Sequence, residues 1–169
     1  MGLPRKLKDF NLFNDGASYM GLVPELTLPK LSRKMEEYRA AGMTGPVQVD
    51  FGNEAITLEW TAGGLLTDAL KQYGACTHNA VQLRFAGAYQ NDDDGIVSAV
   101  EIVVRGRHKE IDLGSAKQAT DTSHKYSTAC SYYKLTVDSE VLIELDFMGA
   151  IENIGGVDRN VNIRKAIGL

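Results

Sequence analysis

Apolar and polar residues alternate along most of this chain, the pattern of strands that bury one face. "AITLEWTA" places Ile56, Leu58 and Trp60 on one side, and "AVQLRFAGAY" does the same with Val81, Leu83 and Phe85, opposite Gln82 and Arg84. The pattern resumes in "IVSAVEIVVRGRHKEID". "HKYSTACSYYKLTVD" and "EVLIELDFM" then flank Asp138-Ser139 as a long hairpin. Near the amino end, "FNLFNDGASYMG" turns at Asn14-Asp15-Gly16, where Asp and Gly tolerate positive φ. The period changes once, in "LLTDALKQYGA": Leu66, Leu70 and Tyr73 fall at helical spacing and Gly74 supplies a left-handed stop. A helix this short needs a sheet to hold it.

Breakers divide the rest. Pro24 and Pro29 make "LVPELTLPKLSRKMEEYRA" an extended, edge-like segment. The loop 40–54, "AAGMTGPVQVDFGNE", is too rich in glycine and proline for a helix and too apolar for an idle loop, so it is a candidate interaction arm. "LGSAKQATDTS" reads as an exposed loop, and "IGGVDRNVNIRKAIGL" as a carboxy-terminal arm rather than core. The fold class is mainly β (β+α): a single domain over residues 1–169, an antiparallel β-barrel or sandwich with one flanking α-helix.

Composition adds limits. The net charge is −4, from 18 basic and 22 acidic residues, without the concentrated basic face of a dedicated nucleic-acid binder. Cys76 and Cys130 form no metal-binding pair and read as two reduced, buried thiols. No signal peptide or membrane-spanning run is visible. The acidic stretch "QNDDDGIVSAVE" matches a calcium loop at Asp92, Asp94, Gly95 and Glu101, but Gln90 stands where the first carboxylate belongs. Its flanks alternate as strands, so a hairpin turn is the better reading. His78, His108 and His124 share no ligand spacing and are expected at strand ends or on the surface. "TAGG" lacks the Lys-Ser/Thr of a phosphate loop. "RGRHKEID" mixes charges as a salt-bridge lattice at a subunit contact would, not as a continuous basic stripe. No catalytic, metal or cofactor motif emerges, which leaves function to surfaces.

The blocks "PRKLKDFNLFNDGASYMG", "LTLPKLSRKMEEYRAAGM", "RFAGAYQNDDDG", "RGRHKEIDLGSAKQ", "YYKLTVD", "GGVDRN" and the final "IGL" resemble, in order, the major tail tube protein of contractile-tailed phages and R-type bacteriocins. The resemblance runs from Pro4 to Leu169 and implies a tail-tube-like fold and a structural, non-enzymatic protein of the virion. Homo-hexamer rings would stack into a tube, with tail sheath protein outside and tape measure protein and transiently DNA inside. Baseplate and tail terminator proteins would meet its ends, with no membrane anchor, and assembly would occur in the bacterial host cytoplasm. A type VI secretion-like tube or carrier, or a DNA-free bacteriocin tube, is the alternative. By the same likeness, Leu28, Pro29, Lys30, Tyr38, Arg39, Gly42, Met43, Pro46, Arg105, Arg107, Lys109, Glu110 and Asp112 are candidate subunit contacts. The amino-terminal segment, the 40–54 loop and the carboxy-terminal arm are expected to join them.

Overall fold

The computed structural model describes residues 2–169. In chain order the elements are β1 (Lys6–Asn14), β2 (Ala17–Ser18), β3 (Glu25–Thr27), β4 (Arg33–Tyr38), β5 (Val47–Asn53), β6 (Ile56–Ala62) and α1 (Thr67–Lys71). Then follow β7 (Val81–Gln90), β8 (Val97–Asp112), β9 (His124–Val137), β10 (Glu140–Asp146), β11 (Ile151–Ile154), β12 (Val157–Asp158) and α2 (Val161–Ala166). Every strand pairing is antiparallel, and β9 is the pivot. One edge of β9 pairs with β8 along its length. The other pairs first with β6, from His124 to Cys130, and then with β10, from Tyr132 to Val137. The sheet therefore forks: one branch runs through β6 to β3, the other through β10 and β11 to β12. On the far side, β8 continues into β7, β1 and β2.

Closure is almost complete. The Tyr19 N–H donates to the Leu12 carbonyl, Leu22 N–H to Tyr19 and Gly63 N–H to Leu22, so backbone bonds link β1 to the end of β6. The alternation predicted for the strands is the alternation observed: Ile56, Leu58, Trp60, Val81, Leu83 and Phe85 are all buried in one core. Trp60 stacks on Tyr126 with ring centroids 4.2 Å apart. Both predicted two-residue turns form, with positive φ at Asp15 and Gly16 and at Asp138 and Ser139, the geometry that matches the twist of a hairpin.

Four expectations need correction. The helix is only five residues long; Leu66 and Ala69 are buried but Tyr73 is 59% exposed, because the turn unwinds before reaching it. The 40–54 segment is not an irregular loop: Val47–Asn53 is β5, paired with β4 as a two-stranded hairpin. The tail is partly sheet, since β11 and β12 extend the β10 edge, and it adds a second short helix, α2. Of the two thiols only Cys130 is buried, and burial pushes its pKa up to about 11; Cys76 is exposed. No helix among the described residues is long and apolar enough to cross a membrane.

Candidate assembly surfaces

The β4–β5 hairpin stands away from the core. Residues directly opposite in an antiparallel pair share a face, so Tyr38 and Val47 lie together, next to Glu36 and Val49. Phe51 continues the row at the bulge near the base. Tyr38, Val47, Val49 and Phe51 are 57%, 51%, 39% and 61% exposed. Met35, Glu37, Gln48 and Asp50 occupy the opposite face. At the tip, Met43 N–H donates to the Ala40 carbonyl, and Gly42 takes φ +83. The base is fixed by Arg33, which pairs with Asp50 of the hairpin and with Glu152 of β11. The Gly52 N–H and Arg33 hold Asp50 below the usual carboxylate range. An isolated two-stranded hairpin is marginal in water; this one presents an apolar face that no other element among the described residues covers.

The outer face of the main sheet has another character. Ala86, Ala88 and Ala99 form a small-residue strip across β7 and β8. Around it stand Arg84, Arg105 and Lys134 together with Asp9, Glu101, Glu144 and Asp146. The charges answer one another. Arg84 reaches Glu101 at 3.3 Å and lies over the Phe13 ring. Arg105 lies over Tyr132, whose hydroxyl donates to Glu144 at 2.7 Å. Such a surface offers water small side chains, with Arg84 ion-paired and Arg105 laid over a ring, while Lys134 makes no ion pair among the described residues.

The acidic stretch is the β7–β8 hairpin tip. Its carboxylates are spent locally: Asp92 pairs with Lys8 at 2.9 Å, Asp93 accepts the Leu3 N–H, and Asp94 accepts the Ile96 N–H. Gly95 supplies φ +71. Three consecutive acids thus tie down the amino-terminal segment and shape the turn.

The remaining candidates separate into groups. Leu28 packs against the core, Pro29 is half-buried and Lys30 exposed, so the first of these serves the subunit itself. Tyr38, Arg39, Gly42, Met43 and Pro46 all belong to the hairpin and its tip. Arg107, Lys109, Glu110 and Asp112 are exposed on β8, beyond the point where β7 ends, and form no ion pair among the described residues. The predicted lattice is therefore not made within one subunit. Reading by sequence missed the Arg33–Glu152 clasp, whose partners are 119 positions apart and carry no local signal.

It also misplaced His108, which is buried beside Trp60 rather than at a strand end. Its Nδ1 lies 2.9 Å from Thr128 Oγ1 and its Nε2 3.1 Å from Gln72 Oε1. Gln72 and Asn14 exchange amide hydrogen bonds, and Asn14 also donates to Tyr19, whose hydroxyl donates to Asp68. This network ties α1 to the sheet. Because Gln72 Oε1 only accepts, Nε2 carries the proton and Nδ1 accepts from Thr128. Burial lowers the His108 pKa below 6.5, with Asp15 opposing weakly. The folded value thus lies below the unfolded one, so the stabilisation is complete above about pH 6.5 and is lost as pH falls below it. Thermal melts from about pH 7 to about pH 5 should show a falling midpoint that His108→Gln flattens.

Comparison with known proteins places the chain. The profile of the phage tail tube protein FII family matches residues 4–168. The tail tube protein of Escherichia phage P2 is 48% identical over 172 residues, spanning 100% of both chains. The major tail tube protein of Serratia phage KSP20 is 40% identical over 153 residues, covering 89% of this chain and 88% of its own. Among solved structures, the sheath/tube terminator of an extracellular contractile injection system (PVC) superposes with a TM-score of 0.61 at 10% identity. That match covers 80% of this chain and 99% of the other. The extended sheath–tube complex of the same system gives 0.56 at 9% identity, over 75% and 87%. These structural likenesses speak for the fold; the full-length sequence matches do more, and on them this chain belongs to the phage tail tube protein FII family.

Proposed function

We propose that this chain is the repeating subunit of a phage's tail tube, closing side by side into rings of six that stack along the tube axis. The observation that carries the reading is the β4–β5 hairpin. Four large apolar or aromatic side chains lie in a row on an arm that contacts the rest of the subunit mainly at its base. Burial of apolar area is the main favourable term in association, so the arm is the contact a neighbouring ring would cover. The unpaired charges of Arg107, Lys109, Glu110 and Asp112 supply a second, polar contact between copies.

The outer face of the main sheet suits a lumen. DNA sticks where unpaired cations release counterions from phosphates; here Arg84 and Arg105 are engaged by Glu101, Phe13 and Tyr132. Genome DNA would slide past such a wall, and a tape measure protein would occupy it beforehand. The relatives solved with sheath and terminator support a sheath protein outside the tube and a terminator at one end. A baseplate would close the other end, with assembly in the host cytoplasm. The subunit does its work by holding shape, without catalysis.

Electron microscopy of the purified chain tests this reading. Hollow tubes or six-membered rings at high concentration are expected, with or without an added initiator complex. Particles that stay monomeric under both conditions would overturn it.

A further inference from the structure

We infer that Arg33 is the positioning residue of the β4–β5 arm: through Glu152 it seats the arm on the carboxy-terminal elements, and so sets its direction before a neighbouring copy is met. The use of that direction rests on the tube reading. The subunit's packed body ends at Leu28, which lies against the core, and resumes at Ile56, which is buried in it. Between them the chain runs out along β4 and back along β5, and these strands make their extensive contacts only with each other. At the neck, the Glu54 N–H donates to the Ser32 carbonyl at 2.8 Å. That bond joins the two crossings to each other and not to the body.

Arg33, the first residue of β4, supplies the tie to the body. Its Nε meets Asp50 of β5, while Nη1 meets Glu152 of β11 and lies 3.4 Å from Asn53 Oδ1. A planar guanidinium fork can serve two carboxylates at once, which a lysine ammonium does less well. The Glu152 side chain is only 16% exposed, and Arg33 is its one side-chain partner among the described residues. A carboxylate so covered is costly without a cation. The contact is therefore held more firmly than an ion pair in open water.

What Glu152 stands on is itself braced. β11 pairs with β10 on one side and β12 on the other, and the Glu152 carbonyl accepts the Arg159 N–H at 2.7 Å. Arg164 of α2 pairs with Asp158 at 2.6 Å and donates to the Ala150 carbonyl at 2.9 Å. The same carbonyl accepts from Asn160 Nδ2 at 2.7 Å. Arg33 thus refers the arm to a cross-linked frame rather than to a loose loop. An arm that swings must give up orientational freedom when it docks, and presetting its direction removes that cost. The row of Tyr38, Val47, Val49 and Phe51 is then presented the same way by every free subunit.

Amide nitrogen spin relaxation on the full chain, below the concentration at which tubes form, tests the tie. In the parent, the amides of Glu36, Tyr38, Val47 and Val49 should show order parameters of about 0.85, as rigid backbone does. Arg33→Met combined with Glu152→Gln removes the clasp without leaving a covered carboxylate unpaired. In that variant the four arm amides should fall below about 0.6 while those of β6 keep their parental values. Tubes should then need about tenfold more protein to form. A parent arm already below about 0.6, or a variant arm as ordered as the parent's, would overturn the tie. A loosened arm that still assembles at the parental concentration would overturn its role in assembly. A parent that never forms tubes would overturn the tube reading, and the order parameters would still decide the tie.

Discussion

Gly106→Ala should leave little folded protein. Gly106 sits on β8 where the β8–β9 register shifts, opposite Cys130. A Cβ built there would lie 1.9 Å from the Ala129 carbonyl oxygen, 2.7 Å from the Ala129 carbonyl carbon and 2.9 Å from Cys130 Cα. All three are backbone atoms of the paired strand, so no rotamer change relieves the overlap. Relief would need β8 and β9 to separate at the level where β9 changes partner from β6 to β10, the fork on which both branches depend. Overpacking costs about 1–3 kcal/mol where side chains give way, and more is expected against rigid backbone. For a domain of this size each kcal/mol is about 2–4 °C of melting midpoint, so a fall of roughly 10 °C or loss of soluble protein is the expected result. Gly45→Ala is the control: its Cβ meets nothing within 4 Å, and its midpoint should match the parent. Equal midpoints for the two variants would show that the strands give way more easily than this geometry implies.

The core strands were legible because burial imposes its period on the sequence. Ile56, Leu58 and Trp60 alternate since each inward position meets other side chains, and the same constraint placed Val81, Leu83 and Phe85. His108 follows that rule too: it lies in phase with Val104 and Gly106, inside a run of charged neighbours that hides it. Counting parity from Val104 would have found it. The hairpin was harder, because no other element among the described residues buries it. "VQVDFGN" does alternate, but after Gly45 and Pro46, and facing the polar "RKMEEY", its pattern points to no core. An arm whose apolar face meets no partner within the described subunit lacks the local consistency that marks a strand.

That separation between what the subunit needs and what the assembly needs predicts the second large effect. Val47→Glu combined with Val49→Glu should abolish tube formation while leaving the subunit folded. Both side chains lie on the exposed face of the hairpin and belong to no core cluster, so the free subunit loses no buried contact. Surface changes of this kind usually alter stability by within about 0.5 kcal/mol, and the melting midpoint should move by no more than ~2 °C. In the tube the same positions would be covered, and two carboxylates would enter an apolar contact without partners. Burying unpaired charge costs several kcal/mol per ion, repeated at every subunit of every ring. Sedimentation and electron microscopy should therefore find only free subunits at concentrations where the parent forms tubes. Glu37→Gln, on the opposite face of the same hairpin, should assemble normally and shows that the effect belongs to one face rather than to the arm as a whole. Tubes of normal length from the double variant would remove the hairpin's apolar face from the assembly and leave the charged end of β8 to account for it.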